Sequence, residues 1–68
     1  MILFPERLKE LRNDSGLSRS ELASKLNVST RLVCYWENGE RECDFDTLIR
    51  IADLFDVTVD YLLGRKDY

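Results

Sequence analysis

The sequence predicts an all-α fold, a bundle of five short helices in a chain of 68 residues. Three observations predict it. No stretch alternates apolar with polar residues, and the β-branched residues are scattered, so nothing reads as a strand. Apolar residues recur instead at three- and four-residue steps, the spacing of one helix face. One helix-start device also appears four times: a hydroxyl or carboxylate residue with an apolar residue just before it and another four after.

The elements follow in order. The first helix, near 5–14, places Phe4, Leu8 and Leu11 on one face; Pro5 suits a first turn, and Gly16 can close the end. The second, near 18–26, starts at Ser18, with Glu21 placed for a capping box and Leu17 able to meet Leu22. The third, near 29–38, starts at Ser29 between Val28 and Val33 and ends at Gly39. The fourth, near 45–55, starts at Asp44, flanked by Cys43 and Leu48. At about 100° per residue, Leu48, Ile51, Ala52 and Phe55 share its inner face, Ile49 lies at the edge and Leu54 points away. The fifth, near 58–63, starts at Thr58 between Val57 and Leu62 and ends at Gly64. The expected core is Leu8, Leu11, Leu22, Ala23, Leu26, Val28, Val33, Trp36, Leu48, Ile51, Ala52, Phe55, Val57 and Leu62.

Composition narrows the function classes. A chain of this length makes one domain, here 1–68, with no room for a second to close a cleft. No apolar run approaches a membrane span and no signal pattern opens the chain, so a cytoplasmic protein is expected. Two cysteines and no histidine provide neither a disulfide framework nor a tetrahedral zinc site, so no metal and no cofactor are expected. No spaced nucleophile and base and no glycine-rich phosphate loop are present, which argues against an enzyme and against a small-molecule ligand. The net charge of −3 argues against nonspecific nucleic-acid binding, but its distribution is uneven. Residues 1–36 hold six Lys/Arg against four Asp/Glu, and residues 37–68 hold four against nine. The first half can face phosphates; the second is repelled by them.

Residues 19–38 carry the most specific pattern. Two short helices meet across Asn27–Val28–Ser29, where Asn27 can enter the left-handed region and the small Ala23 permits close approach. Val28, Val33 and Trp36 pin the second of these helices, leaving Thr30, Arg31, Cys34, Tyr35 and Asn38 on its outer face. The motifs "LSRSELASKLNVS", "WENGER" and "TLIRIADLFDVTVDYLLG" closely resemble the repressor/Cro (xenobiotic-response-element) family of helix-turn-helix regulators. The resemblance spans essentially the whole chain. It implies a lambda-repressor-like bundle and a sequence-specific transcriptional regulator, a repressor, bound as a homodimer to a pseudo-palindromic site in double-stranded DNA. It also implies base contacts from Thr30, Arg31 and Tyr35 and backbone contacts from Arg19, Ser29 and Asn38. The chemistry agrees, since Arg pairs bidentately with guanine and Thr offers a methyl and a hydroxyl to a base edge.

The chain departs from the family pattern in several places. Arg19 stands where Gln is common, Asn27 where Gly is usual, Leu32 where a small polar residue is frequent, and Cys43 where Pro is common. The loop after the third helix, often basic in the family, reads Gly39-Glu40-Arg41-Glu42-Cys43-Asp44. That acidity supports a second reading, a protein–protein interaction module that binds its partner through the acidic half. The run 37–46 is expected to be a solvated loop, unless Glu37 pairs with an arginine inside the domain as it often does in the family. Tyr35 can reach a base or lie across the second helix. Ile49, Leu54 and Tyr61, with Ile2 and Leu3, form the expected dimer surface.

Overall fold

A computed structural model describes residues 2–68. Five helices follow in order: α1 (Phe4–Asp14), α2 (Arg19–Leu26), α3 (Thr30–Glu37), α4 (Phe45–Phe55) and α5 (Val59–Leu63). All four caps read from the sequence form. Ser18 Oγ accepts from the Glu21 N–H at 3.0 Å while Glu21 Oε1 accepts from the Ser18 N–H at 2.8 Å, a complete capping box. Ser29 Oγ accepts from Leu32, Asp44 Oδ2 from Thr47 and Thr58 Oγ1 from Tyr61, at 3.0 to 3.1 Å. The residue before each cap (Leu17, Val28, Cys43, Val57) packs on the core, and the residue four after it (Leu22, Val33, Leu48, Leu62) is buried. Each start is therefore fixed twice, by a polar bond outside and an apolar contact inside.

α1 has no side-chain cap. Its start is held by tertiary structure instead: the Leu3 N–H donates to the Leu63 carbonyl at 3.1 Å. Leu3 also lies so close to Gly64 that a Cβ there would meet Leu3 Cγ at 2.6 Å, and Gly64 has φ +82°. Only glycine satisfies both demands.

The α2–α3 and α4–α5 turns are built alike. Asn27 and Asp56 are both left-handed, at φ 57° and 54°. In each turn the next residue bonds back to an alanine carbonyl, Val28 to Ala23 at 3.0 Å and Val57 to Ala52 at 2.9 Å. The hydroxyl cap of the following helix comes next in both. Asp56 closing α4 in this way was not among the sequence expectations.

The core holds Leu8, Leu22, Ala23, Leu26, Val33, Trp36, Leu48, Ile51, Ala52 and Leu62 as expected, joined by Phe4. Phe4 sets its ring edge against Trp36, with centroids 6.4 Å apart. Leu11, Val28, Phe55 and Val57, also expected inside, flank this core half-buried. The inward face of α1 runs Phe4, Leu8, Arg12, steps of four that carry an arginine into the interior. Its partner is Glu37, so of the two expectations for residue 37 the pair with an arginine inside the domain holds, while Glu40, Glu42, Asp44 and Asp46 are exposed. α4 braces the turn helices through Arg50, whose Nη2 donates 2.7 Å to the Leu26 carbonyl at the open end of α2.

Candidate nucleic-acid interface

One ion triad orients the site. Arg12 Nε donates to Glu37 Oε2 at 2.6 Å and Arg12 Nη2 to Oε1 at 3.2 Å, while Arg19 Nε donates to Oε1 at 3.0 Å. Arg12 Nη1 also reaches the Leu17 carbonyl at 2.9 Å. Glu37 has no exposed side-chain surface, so its charge is answered from α1 and α2 at once. This fixes the last turn of α3 against the first turn of α2, where a helix-turn-helix must be rigid.

The outer face of α3 then follows. Ser29, Thr30 and Arg31 are exposed at its start, and Asn38 is exposed at its end. Tyr35 and Leu32 are half-buried between them. Ser29, Arg31, Leu32, Tyr35 and Arg41 line one shallow groove along this face. The Ser29 oxygen is engaged as the cap, but its hydroxyl hydrogen remains a donor. Leu32 both leans on the core and borders the groove.

Two site residues differ from expectation in their surroundings. Arg19 is turned inward at Nε by Glu37, although 42% of its side chain is exposed. Asn38 points its amide to Glu40 Oε1 at 3.2 Å. The guanidinium of Arg41 lies over the Tyr35 ring at 5.1 Å from the centroid. Arg41 was not singled out in the sequence because its neighbours Glu40 and Glu42 made the loop read as acidic.

The expected dimer residues divide. Ile49 is 51% and Leu54 40% exposed, but Phe45, one turn before Ile49, is 85% exposed and is the more prominent apolar residue. Tyr61 is half-buried: the Arg7 guanidinium stands 4.1 Å from its ring centroid and Arg7 Nη1 donates to its carbonyl at 2.8 Å. Leu3 is packed against Gly64 and is likewise half-buried.

A family profile described as helix-turn-helix matches residues 8–62, the span containing this triad, the turn and the α3 face. The chain belongs to that helix-turn-helix family. It is 39% identical over 62 residues to the transcriptional regulator ImmR of Bacillus subtilis, covering 91% of this chain and 49% of that protein. The chain thus spans about half the length of the curated relatives it matches first. The fold is that of the P22 c2 repressor, solved with a synthetic operator, at TM-score 0.88 and 24% identity over 97% of this chain and all of that one. It is also similar, at 34% identity and TM-score 0.80 over 88% of this chain, to 32% of the hydroxypropylphosphonic acid epoxidase of S. wedmorenis. A helix-turn-helix of this shape therefore occurs inside an enzyme as well as in regulators, and function must be argued from the site.

No described helix is long and apolar enough to cross a membrane.

Proposed function

We propose that this helix-turn-helix chain is a sequence-specific DNA-binding transcriptional regulator that lays α3 in the major groove. The observation that carries the reading is the outer face of α3. There exposed Thr30 and Arg31 sit beside the groove bordered by Tyr35, on a helix locked from behind by the buried Glu37 pair. Arg31 and Thr30, with Tyr35, read base edges; Ser29, Asn38 and the exposed part of Arg19 meet phosphates. The N-terminus of α2 adds main-chain N–H groups for a phosphate. The protein acts as a cytoplasmic repressor without catalytic activity, with residues 1–68 as the DNA-binding domain.

It binds as a homodimer on a pseudo-palindrome, with half-sites about 34 Å apart. The exposed stripe of Phe45 and Ile49 on α4, with Leu54, supports self-association. Sedimentation that finds monomer at every concentration, with and without DNA, excludes that part.

Selection of bound duplexes from a random pool at about 50 mM salt, beside Arg31→Ala, tests the main reading. Enrichment of a pseudo-palindrome by the parent and its loss or relaxation in Arg31→Ala supports it. No enrichment by the parent favours the second reading, a protein-binding module, for which exposed Glu40, Glu42, Asp44 and Asp46 are the acidic surface.

A further inference from the structure

The inference rests on the reading that α3 enters the major groove, and it concerns Arg41, a residue outside α3. Gly39, at φ +74°, turns the chain back along the outer face of the helix. The Tyr35 carbonyl then accepts from the Glu40 N–H at 2.9 Å and the Arg41 N–H at 3.4 Å. Main chain and side chain agree, since the Arg41 guanidinium also lies over the Tyr35 ring, 5.1 Å from its centroid. That is within the roughly 6 Å range of a cation–π contact. Of its two acidic neighbours, Glu40 accepts from the Asn38 amide at 3.2 Å, and Arg41 forms no ion pair with either among the described residues. Arg41 thus covers one face of the tyrosine while both residues line the groove of the α3 outer face.

A half-buried tyrosine with one face uncovered has room to change rotamer. A planar guanidinium stacked on that face removes room and sets where the phenol hydroxyl stands, which a lysine ammonium cannot do in the same way. We propose that Arg41 is a specificity-determining positioning residue: stacked on Tyr35, it holds the phenol at one base pair of the bound site. Its positive charge reaches phosphates as any arginine would, but its distinctive contribution is to which base Tyr35 accepts.

The test uses the whole chain as wild type, Arg41→Ala, Arg41→Lys and Tyr35→Ala, each checked for an unchanged thermal melt. Duplexes are selected from a random pool, and the best one is titrated with salt. The expected result is that Arg41→Ala and Tyr35→Ala lose about tenfold preference at the same base pair and keep the pattern elsewhere. Arg41→Lys keeps the salt slope yet loses the preference. An even loss of affinity in Arg41→Ala, with the slope reduced by about one and the pattern intact, makes Arg41 a phosphate ligand only and overturns the proposal. The Tyr35 ring proton resonances, read without DNA, shift in Arg41→Ala if the stack exists; unshifted resonances overturn the proposal on their own. If wild type enriches no sequence, the major-groove reading falls and takes the proposal with it. A ring shift in that case separates the failed reading from a failed stack.

Discussion

Arg12 and Glu37 lie 25 residues apart and meet in the interior through two hydrogen bonds, at 2.6 and 3.2 Å. The pair joins the end of α1 to the end of α3, and Arg19 closes it from the start of α2. The α2–α3 unit is therefore held by charge as well as by Val33 and Trp36.

Removing one side of this pair strands the other. Glu37→Ala leaves the buried Arg12 without its carboxylate and is expected to cost about 3–5 kcal/mol. That is a large share of what a domain this small possesses. The double variant Arg12→Met with Glu37→Leu, which removes both charges, is expected to recover much of the loss. Urea unfolding followed by circular dichroism measures both; equal stability of Glu37→Ala and wild type refutes the account.

Ser29 has two duties, and they separate by experiment. As the α3 cap, its loss in Ser29→Ala costs about 1 kcal/mol of stability. If the hydroxyl also donates to a phosphate, affinity for every duplex falls by a similar factor with the preferred sequence unchanged. Unfolding curves and binding titrations at one salt concentration read the two effects independently. By contrast, Arg31→Ala relaxes the preference at one base pair, by about 1–3 kcal/mol.

Acid should weaken the fold through its caps. The Thr47 hydroxyl at 2.6 Å, with the Thr47 N–H, holds the Asp44 carboxyl below its ordinary 3.8. The Ser18 N–H, with its hydroxyl, does the same for Glu21 from an ordinary 4.5. A carboxylate depressed in the folded state binds protons later than in the unfolded chain. Its stabilisation is complete above the unfolded value and is lost as pH falls through the folded one. Melting temperature should thus decline below about pH 4.5. Asp44→Asn keeps a good cap but cannot titrate, so its acid-side decline should be shallower; an identical decline shows that Asp44 does not contribute.

Cys43 should be a slow thiol. Burial, then the charge of Asp44, pushes it from 9.0 up to about 11. At pH 8 the folded protein then holds about 100-fold less Cys43 thiolate than the unfolded chain. In a Cys34→Ser background, iodoacetamide should react much faster in denaturant than in buffer. Equal rates contradict the burial.

The helix starts were legible because their signals are local. Ser18, Ser29, Asp44 and Thr58 each bond three residues ahead, and their apolar staples lie five residues apart in sequence. The outward side of α3 was legible for the same reason: helical spacing alone puts Val33 and Trp36 inside and Thr30 and Arg31 outside. The left-handed Asp56 had a signal too, since Asp56-Val57-Thr58 repeats the pattern of Asn27-Val28-Ser29. Steps of four from Phe4 and Leu8 also pointed at Arg12, but an arginine on an apolar face reads as a surface residue until its partner is known.

By itself, then, the sequence determined the all-α class, the five helices, the four caps and which face of α3 looks outward. These depend on bonds within a turn or two of chain. Tertiary structure alone decided that Glu37 is buried between Arg12 and Arg19, and that Tyr61 is covered by Arg7 from 54 residues away. It also decided that Phe45 stands out on α4 and that Arg41 folds back over Tyr35. The reason is geometric. A long charged side chain finds its partner only once helix packing has set the distance, and residue spacing along one helix carries no information about its neighbour's angle.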